Sequence, residues 1–549
     1  MAVQQSMKLT QLSGSTMPIN KKDSQLILQV IDSSNGTQVP AYPANNSLTW
    51  ANKKTPSQFG IGSAYFSDID ETLYCNGTSW EIPKFKKNLV NLLPDSLKVN
   101  KVMATPPTVN LVTGSDTSDI VSPIKYQFNT TTEVVGSNFC SLAMAQNPVL
   151  LDAASPKNLY SKFNSQYAAN GYEFRKINVA VKHTGQVISF HGYTLLDAAT
   201  AKSSYVVKVD GEFISLTPTV ISPVDTQFVL NLDFGSVAER KIEFISYYCA
   251  LGGISTAATD TLIRAELMGP EICFLGDSLV EGAYGDRLVG DYVAAFSQSL
   301  GYDKVSPRGF GGSRIAAGTG NYISRIPVDI DPYPFDVIIV QLSVNETGLT
   351  TLNSDLRNLL TQLRASKPKA LLGVTAPMLR GGCNMVTTAW WNAIYACQDV
   401  VENEFDGFFL NHYEQPLADG SPVQTLTLRS FAAQAAATIG TTTIPSIGAC
   451  FKFADNTHIR VKSVSGSEPT VTVTLDSVLQ TSQASGNVAT EVGHALHTGT
   501  GYLGATTGWG NGDNYIYSDF KHYVALGHAA MGRCLAALYV HELKSRFGD

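Results

Sequence analysis

The stretch Ile272-Cys273-Phe274-Leu275-Gly276-Asp277-Ser278-Leu279 decides how the rest of the chain is read. Four apolar residues closed by a glycine predict a buried strand that ends in a tight turn. The turn carries Ser278 to the carboxyl end of that strand, the end of an open parallel sheet where ligands bind. A serine hydroxyl alone is a weak nucleophile. It needs a base, and the base needs a group to orient it.

Downstream of Pro270 the pattern alternates between strand and helix. The strand candidates are Ile272 to Leu275, Lys304 to Ser306, Val337 to Leu342, Ala370 to Thr375 and Phe408 to Asn411. Helices are predicted over Asp286 to Leu300, Thr351 to Ala365, Thr387 to Phe405 and, last, Tyr523 to Phe547. Such alternation means crossover connections and a parallel sheet covered on both faces, an α/β, flavodoxin-like, doubly wound fold. The segment 414–517 breaks the pattern with alternating runs such as Val471-Thr472-Val473-Thr474-Leu475. It reads as a β-rich insertion beside the carboxyl end of the sheet.

Upstream the chain is β-rich. Residues 101–268 hold period-two runs, Ile177 to Val181, Tyr205 to Val209 and Lys241 to Ile245, with a hairpin signal at Asp210-Gly211. They predict an all-β sandwich or jelly roll that either binds glycans or buttresses its neighbour. Residues 1–100 are rich in Ser, Thr, Asn, Gly and Pro and predict a small β-rich module. The α/β part is assigned to 269–549.

Composition sets outer bounds. Of 549 residues, 44% are hydrophobic and 15% charged, enough apolar material to fill several cores. The net charge of −7 and the lack of a long basic run argue against nucleic acid as a partner. The eight cysteines form no C-x-x-C pair and read as reduced, mostly buried thiols. No apolar run has signal-peptide or membrane-spanning length, so the expectation is a soluble product without a Sec-type address.

Four short blocks fall after core strands or before the last helix: Gly276-Asp277-Ser278, Arg308 to Arg314, Ser343-Val344-Asn345-Glu346, and Asp519-Phe520-Lys521-His522. Their residue types suit acyl transfer. Ser278 is the candidate nucleophile and His522 the base. Asp519, three residues earlier, is placed to fix the imidazole tautomer. The oxyanion of a tetrahedral intermediate needs fixed donors: the Ser278 N–H, the Gly312 N–H and the Asn345 amide.

This set resembles the SGNH (GDSL-type) hydrolase superfamily over roughly residues 270–413 and 515–549. The resemblance carries over Ser278, Gly312, Asn345 and the Asp519/His522 pair. The third block usually reads Gly-x-Asn-Asp, so Ser343 and Glu346 depart from it. The resemblance implies hydrolysis of O-acetyl groups on sugars, with neither metal nor cofactor, and the β-sandwich resembles the jelly roll ahead of carbohydrate esterases. The phrase Ala64 to Asp68, followed by Tyr74 to Trp80, resembles a motif of phage tail proteins. That implies a virion tail component, a class that is often trimeric, acting on an acetylated bacterial surface polysaccharide.

Competing readings differ in what they require. A lipid or thioester hydrolase would use the same triad but want a long apolar groove. A glycan-binding adhesin would not need the intact Ser, Gly, Asn and His set. His528 is the rival base, but the helical pattern places it in packing. His494 and His497 lack companions for a zinc site. Gly499 to Gly504 matches a dinucleotide pattern with no strand before it, so it reads as a loop. Arg314 and Arg380 lie near strand ends and either hold an anionic sugar or stand as solvated surface residues; Arg314 is the candidate substrate contact. Trp390 and Trp391 read as core.

Overall fold

The computed structural model describes residues 29–31, 38–40, 64–66, 72–75, 80–81, 89–127 except 122, 139–150 except 144–145, 161–164, 176–198 except 196, 201–346 except 319, 350–377, 388–412, 425–429, 438–445, 449–454, 458–475, 479, 482–492 and 522–547. The predictions for Asp519, Arg380, His494, His497 and Gly499 to Gly504 lie outside these residues. Near the amino terminus, five short strands between Gln29–Ile31 and Trp80–Glu81 form one antiparallel sheet.

The next unit is built on two long strands, β1 (Lys176–Thr194) and β3 (Gln227–Tyr247). They pair antiparallel along almost their whole length, with a register break between Gly185 and Val187. β2 (Ser204–Val209) and Thr261–Arg264 flank one half of this hairpin. β4 (Cys249–Thr256) and Thr108–Thr113 flank the other. Phe190 stacks on Phe244 with ring centroids 5.0 Å apart, yet the ladder pairs Phe244 with Val179. A straight strand would separate positions 179 and 190 by ~36 Å. The hairpin therefore folds over at the break, and its two halves close on one apolar core that includes Val179, Phe190, Leu230 and Phe244.

The parallel sheet holds β5 (Ile272–Gly276), β6 (Val305–Gly309), β7 (Val337–Gln341), β8 (Leu371–Thr375) and β9 (Phe408–Leu410), in the order β6-β5-β7-β8-β9. Every neighbouring pair is parallel. Strand order reverses direction between β5 and β7, and this switch point is where such sheets open a ligand crevice. Successive side chains point to opposite faces. Cys273, Leu275, Ile338, Val340, Leu372 and Val374 meet α2 (Leu352–Ser366) and α3 (Thr388–Asp399). Ile272, Phe274, Val337, Ile339 and Leu371 meet α1 (Tyr292–Leu300) and α4 (Ala525–Phe547). Trp390 and Trp391 are core residues on α3.

Two local readings need correction. The helix expected from Asp286 begins only at Tyr292, because Asp286 Oδ1 accepts from the Leu288 and Val289 N–H groups and folds 286–290 into a turn. Asp291 then caps α1 by accepting from Ala294 N–H. Second, Arg308 and Gly309 belong to β6, not to the loop after it. They pair in register with Leu275 and Gly276.

Six strands between Thr425–Thr427 and Val488–Val492 form an antiparallel sheet. Its apolar residues, Leu426, Phe451, Ile459, Val473 and Leu475 among them, join the same core as Trp391 and Ile394. Lys452 lies over the Tyr395 ring at 4.1 Å. This sheet is thus packed on the α2/α3 face of the parallel sheet.

Candidate active site

Ser278 follows β5 at the switch point and is half-buried. The turn is tight because Glu281 N–H reaches Asp277 O at 3.0 Å and Ala283 N–H reaches Ser278 O at 2.9 Å. It can lie against β6 only because Gly309 has no side chain: a Cβ there would overlap the Glu281 backbone nitrogen. His522 lies three residues before α4. Its Nε2 sits 2.7 Å from Ser278 Oγ, across 244 residues of sequence. The fold therefore brings the predicted nucleophile and base within hydrogen-bond reach. Asp519, the predicted orienting carboxylate, lies outside the described residues.

The predicted oxyanion donors Gly312 and Asn345 lie in the loops that follow β6 and β7. Gly312 has φ +77°, a backbone that favours glycine, and open space where a Cβ would stand. Asn345 is half-buried, and its Nδ2 donates to Ser313 O at 3.3 Å, which fixes the amide plane.

A carboxylate that the sequence reading had left without a role holds these blocks together. Asp277 is fully buried and accepts from Leu279 N–H (2.9 Å), Ser343 Oγ–H (2.8 Å) and Val344 N–H (3.0 Å). Burial pushes its carboxyl above the usual range, and those three donors and the nearby His522 pull it back. The departures from the family pattern also gain a reason. Ser343 Oγ bridges Asp277 and Ser313 O and accepts from Asn345 N–H at 3.0 Å. Glu346 Oε1 accepts from Ile315 N–H at 2.6 Å, tying the third block to the second. Burial raises the Glu346 carboxyl, and the charge of half-buried Arg314 opposes the rise.

Arg325 is a further residue that sequence reasoning missed. It is fully buried, pairs with Asp329 at 2.7 Å, and donates to Gly276 O at 2.9 Å and to Arg308 O. Its guanidinium thus caps the last carbonyls of β5 and β6, directly beneath the nucleophile turn. The Arg325/Asp329 spacing of four was a visible signal for the ion pair, but nothing in it pointed to the site.

His528, the rival base, is fully buried in α4, and its Nε2 donates to Ala283 O at 3.0 Å. Burial lowers its pKa, so the ring stays neutral and supports the turn from behind. From the other side, the antiparallel unit presses on the 281–291 segment. Leu288 is packed among Val206, Phe213, Ile245, Tyr247 and Tyr248. Arg287 donates to the Tyr247 hydroxyl and faces Glu281 at 3.6 Å, and Lys176 reaches Asp291 at 3.6 Å.

Residues 274–399 match the family model "GDSL-like Lipase/Acylhydrolase family". The matched stretch contains the Gly276-Asp277-Ser278-Leu279 turn, so this part of the chain is similar to GDSL-type hydrolases. Among curated proteins no relative matches it. Solved structures with likeness to the GDSL-containing chain include the salicylyl-acyltransferase SsfX3 from a tetracycline biosynthetic pathway, at 11% identity, 53% of this chain, 85% of that chain and TM-score 0.42. A family two carbohydrate esterase from Clostridium thermocellum aligns at 15% identity, 43% and 82% coverage and TM-score 0.35. An acetyl xylan esterase, Est2A, from Butyrivibrio proteoclasticus aligns at 14% identity, 52% and 90% coverage and TM-score 0.36. Among the described residues, no cluster of His, Cys, Asp and Glu suits a metal ion, and no helix is long and apolar enough to cross a membrane.

Proposed function

We propose that this protein is a serine esterase that removes acetyl groups from a bacterial surface polysaccharide. The observation that carries the reading is the 2.7 Å contact between Ser278 Oγ and His522 Nε2 at the sheet's switch point. Ser278 attacks the ester carbonyl while His522 takes its proton. The intermediate's oxyanion is received by the N–H groups of Ser278 and Gly312 and by the Asn345 amide. His522 then gives the proton to the departing sugar oxygen, and water repeats the sequence to release acetate. Asp519 is assigned to orient His522, and Arg314 to meet acidic substituents of the glycan. The ester-hydrolase part of the reading draws support from the match over residues 274–399, and the acetyl-glycan part rests on the resemblance noted in the sequence. The reading of the antiparallel unit as a jelly roll draws support from its folded-over hairpin. The placement on a phage tail, with a trimer as its assembly, rests on the amino-terminal phrase alone.

The test is acetate release from a panel of acetylated capsules and O-antigens by wild type and by Ser278→Ala. The variant is expected to lose activity by at least about a thousandfold. Unchanged release would remove Ser278 from the mechanism. Preference for long acyl chains over acetyl would favour a lipid hydrolase instead.

A further inference from the structure

Tyr284 stands out at the mouth of the site. Its ring lies 5.0 Å from the His522 imidazole, tilted by 40°, and the residue is 42% exposed. Its backbone has φ +63°, a conformation that glycine or asparagine adopts readily and a bulky aromatic rarely does. The segment is held there from several sides. Ala283 is bonded to Ser278 O on one side and receives His528 Nε2 on the other. Gly285 N–H closes on Gly282 O at 3.0 Å, and Arg287 is anchored to Tyr247. A strained backbone enforced by its surroundings points to a use for the side chain it presents.

The chemistry identifies which part of a substrate this ring would meet. In the esterase reading, the acyl oxygen is received by Gly312 and Asn345. The leaving oxygen faces His522 Nε2, which returns the proton to it. A ring beside the imidazole therefore lies beside the alcohol, not the acyl group. An exposed phenol ring, with an apolar face and a polar tip, matches a sugar ring with its C–H face and hydroxyl edge.

Building on the esterase reading above, we propose that Tyr284 is the platform on which the sugar ring of a glycan ester lies during deacylation. It selects the alcohol half of the substrate.

The experiment compares kcat/KM on chemically O-acetylated xylo-oligosaccharides with kcat/KM on ethyl acetate. Tyr284→Ala is expected to lower the first by about tenfold more than the second, chiefly through KM. Tyr284→Phe and Tyr284→Trp should restore most of the difference. Should Tyr284→Ala fold poorly, Tyr284→Asn, which accepts the left-handed backbone, takes its place and is expected to show the same selective loss on the oligosaccharide. An equal loss on both substrates, or none on either, overturns the proposal. If wild type releases acetate from neither, nor from the capsule and O-antigen panel, the esterase reading falls. Calorimetric binding of the same oligosaccharides to Ser278→Ala then decides the matter alone. An affinity about tenfold weaker in Ser278→Ala/Tyr284→Ala supports the platform. Equal affinity, or no binding at all, refutes it.

Discussion

At the scale of single residues, the site depends on one hydroxyl that its sequence block made look out of place. Ser343 stands where the family usually carries glycine, yet its Oγ joins Asp277, Ser313 and Asn345. Removing it strips a donor from a buried carboxylate and an acceptor from the backbone N–H of Asn345, the proposed oxyanion residue. Ser343→Ala is therefore expected to cost about 1–3 kcal/mol of stability. It should also lower kcat while leaving KM near its original value, because a displaced Asn345 amide weakens transition-state stabilisation more than substrate binding. A shift of the urea midpoint and a kcat/KM split would show both effects. A variant with wild-type kcat would mean that the Asn345 amide holds its place without Ser343. The role of Ser343 was hidden in the sequence for a plain reason. A serine's partners are set by which turns the sheet brings together, and residues 277, 313 and 343 are distant along the chain.

At the scale of elements, the parallel sheet was the most legible part. Short apolar runs between helical segments gave its strands, and the crossovers gave their direction, so Ser278 could be placed at the correct strand end from sequence. The start of α1 was not legible, since Asp286 and Asp291 are both good caps and only the packing of Leu288 against the antiparallel unit decides between them. The length of β1 and β3 was also hidden, because their alternation is lost where both faces are covered. One contact between elements reaches the site directly. α1 and α4 cross closely at Gly532, where a Cβ would overlap Tyr292 O and Ala295 Cβ. Gly532→Ala gains about 1 kcal/mol in helix propensity but forces two backbones apart, an overpacking cost of roughly 1–3 kcal/mol. Backbone overlap cannot be relieved by a rotamer, so net destabilisation is expected. Because His522 immediately precedes α4, activity should fall with stability. A melting temperature at or above that of wild type would show that the helices can separate at no cost.

At the scale of the whole molecule, separate units converge on the segment that follows Ser278. The antiparallel unit contributes Tyr247 and Lys176 to the 281–291 segment, and α4 contributes His528 and, just ahead of it, His522. This arrangement favours buttressing over a detachable binding module as the job of that unit. It also has a consequence for pH. Three of the four buried histidines among the described residues lie in different layers: His183 in β1, His412 just after β9 and His528 in α4. Burial lowers the pKa of each; for His183 the Asp260 partner opposes it, and His412 is lowered to about 3. Each ring is neutral in the folded chain at pH 7 and takes up a proton more readily when unfolded, near pH 6.5. Below that value the unfolded chain binds more protons, so stability is full above about pH 6.5 and is lost as pH falls toward the folded-state value. The slope is at most about 1.4 kcal/mol per pH unit for each histidine. Calorimetric melts should therefore fall steadily from pH 7 to pH 5, above the range where ordinary carboxylates titrate. His412→Asn should flatten that slope by removing one protonation site, whatever it does to the melting temperature at pH 7. A wild-type midpoint that stays constant over this interval would mean that these rings are already charged in the folded chain, and would undo the assignment of His528 as a neutral donor behind Ser278.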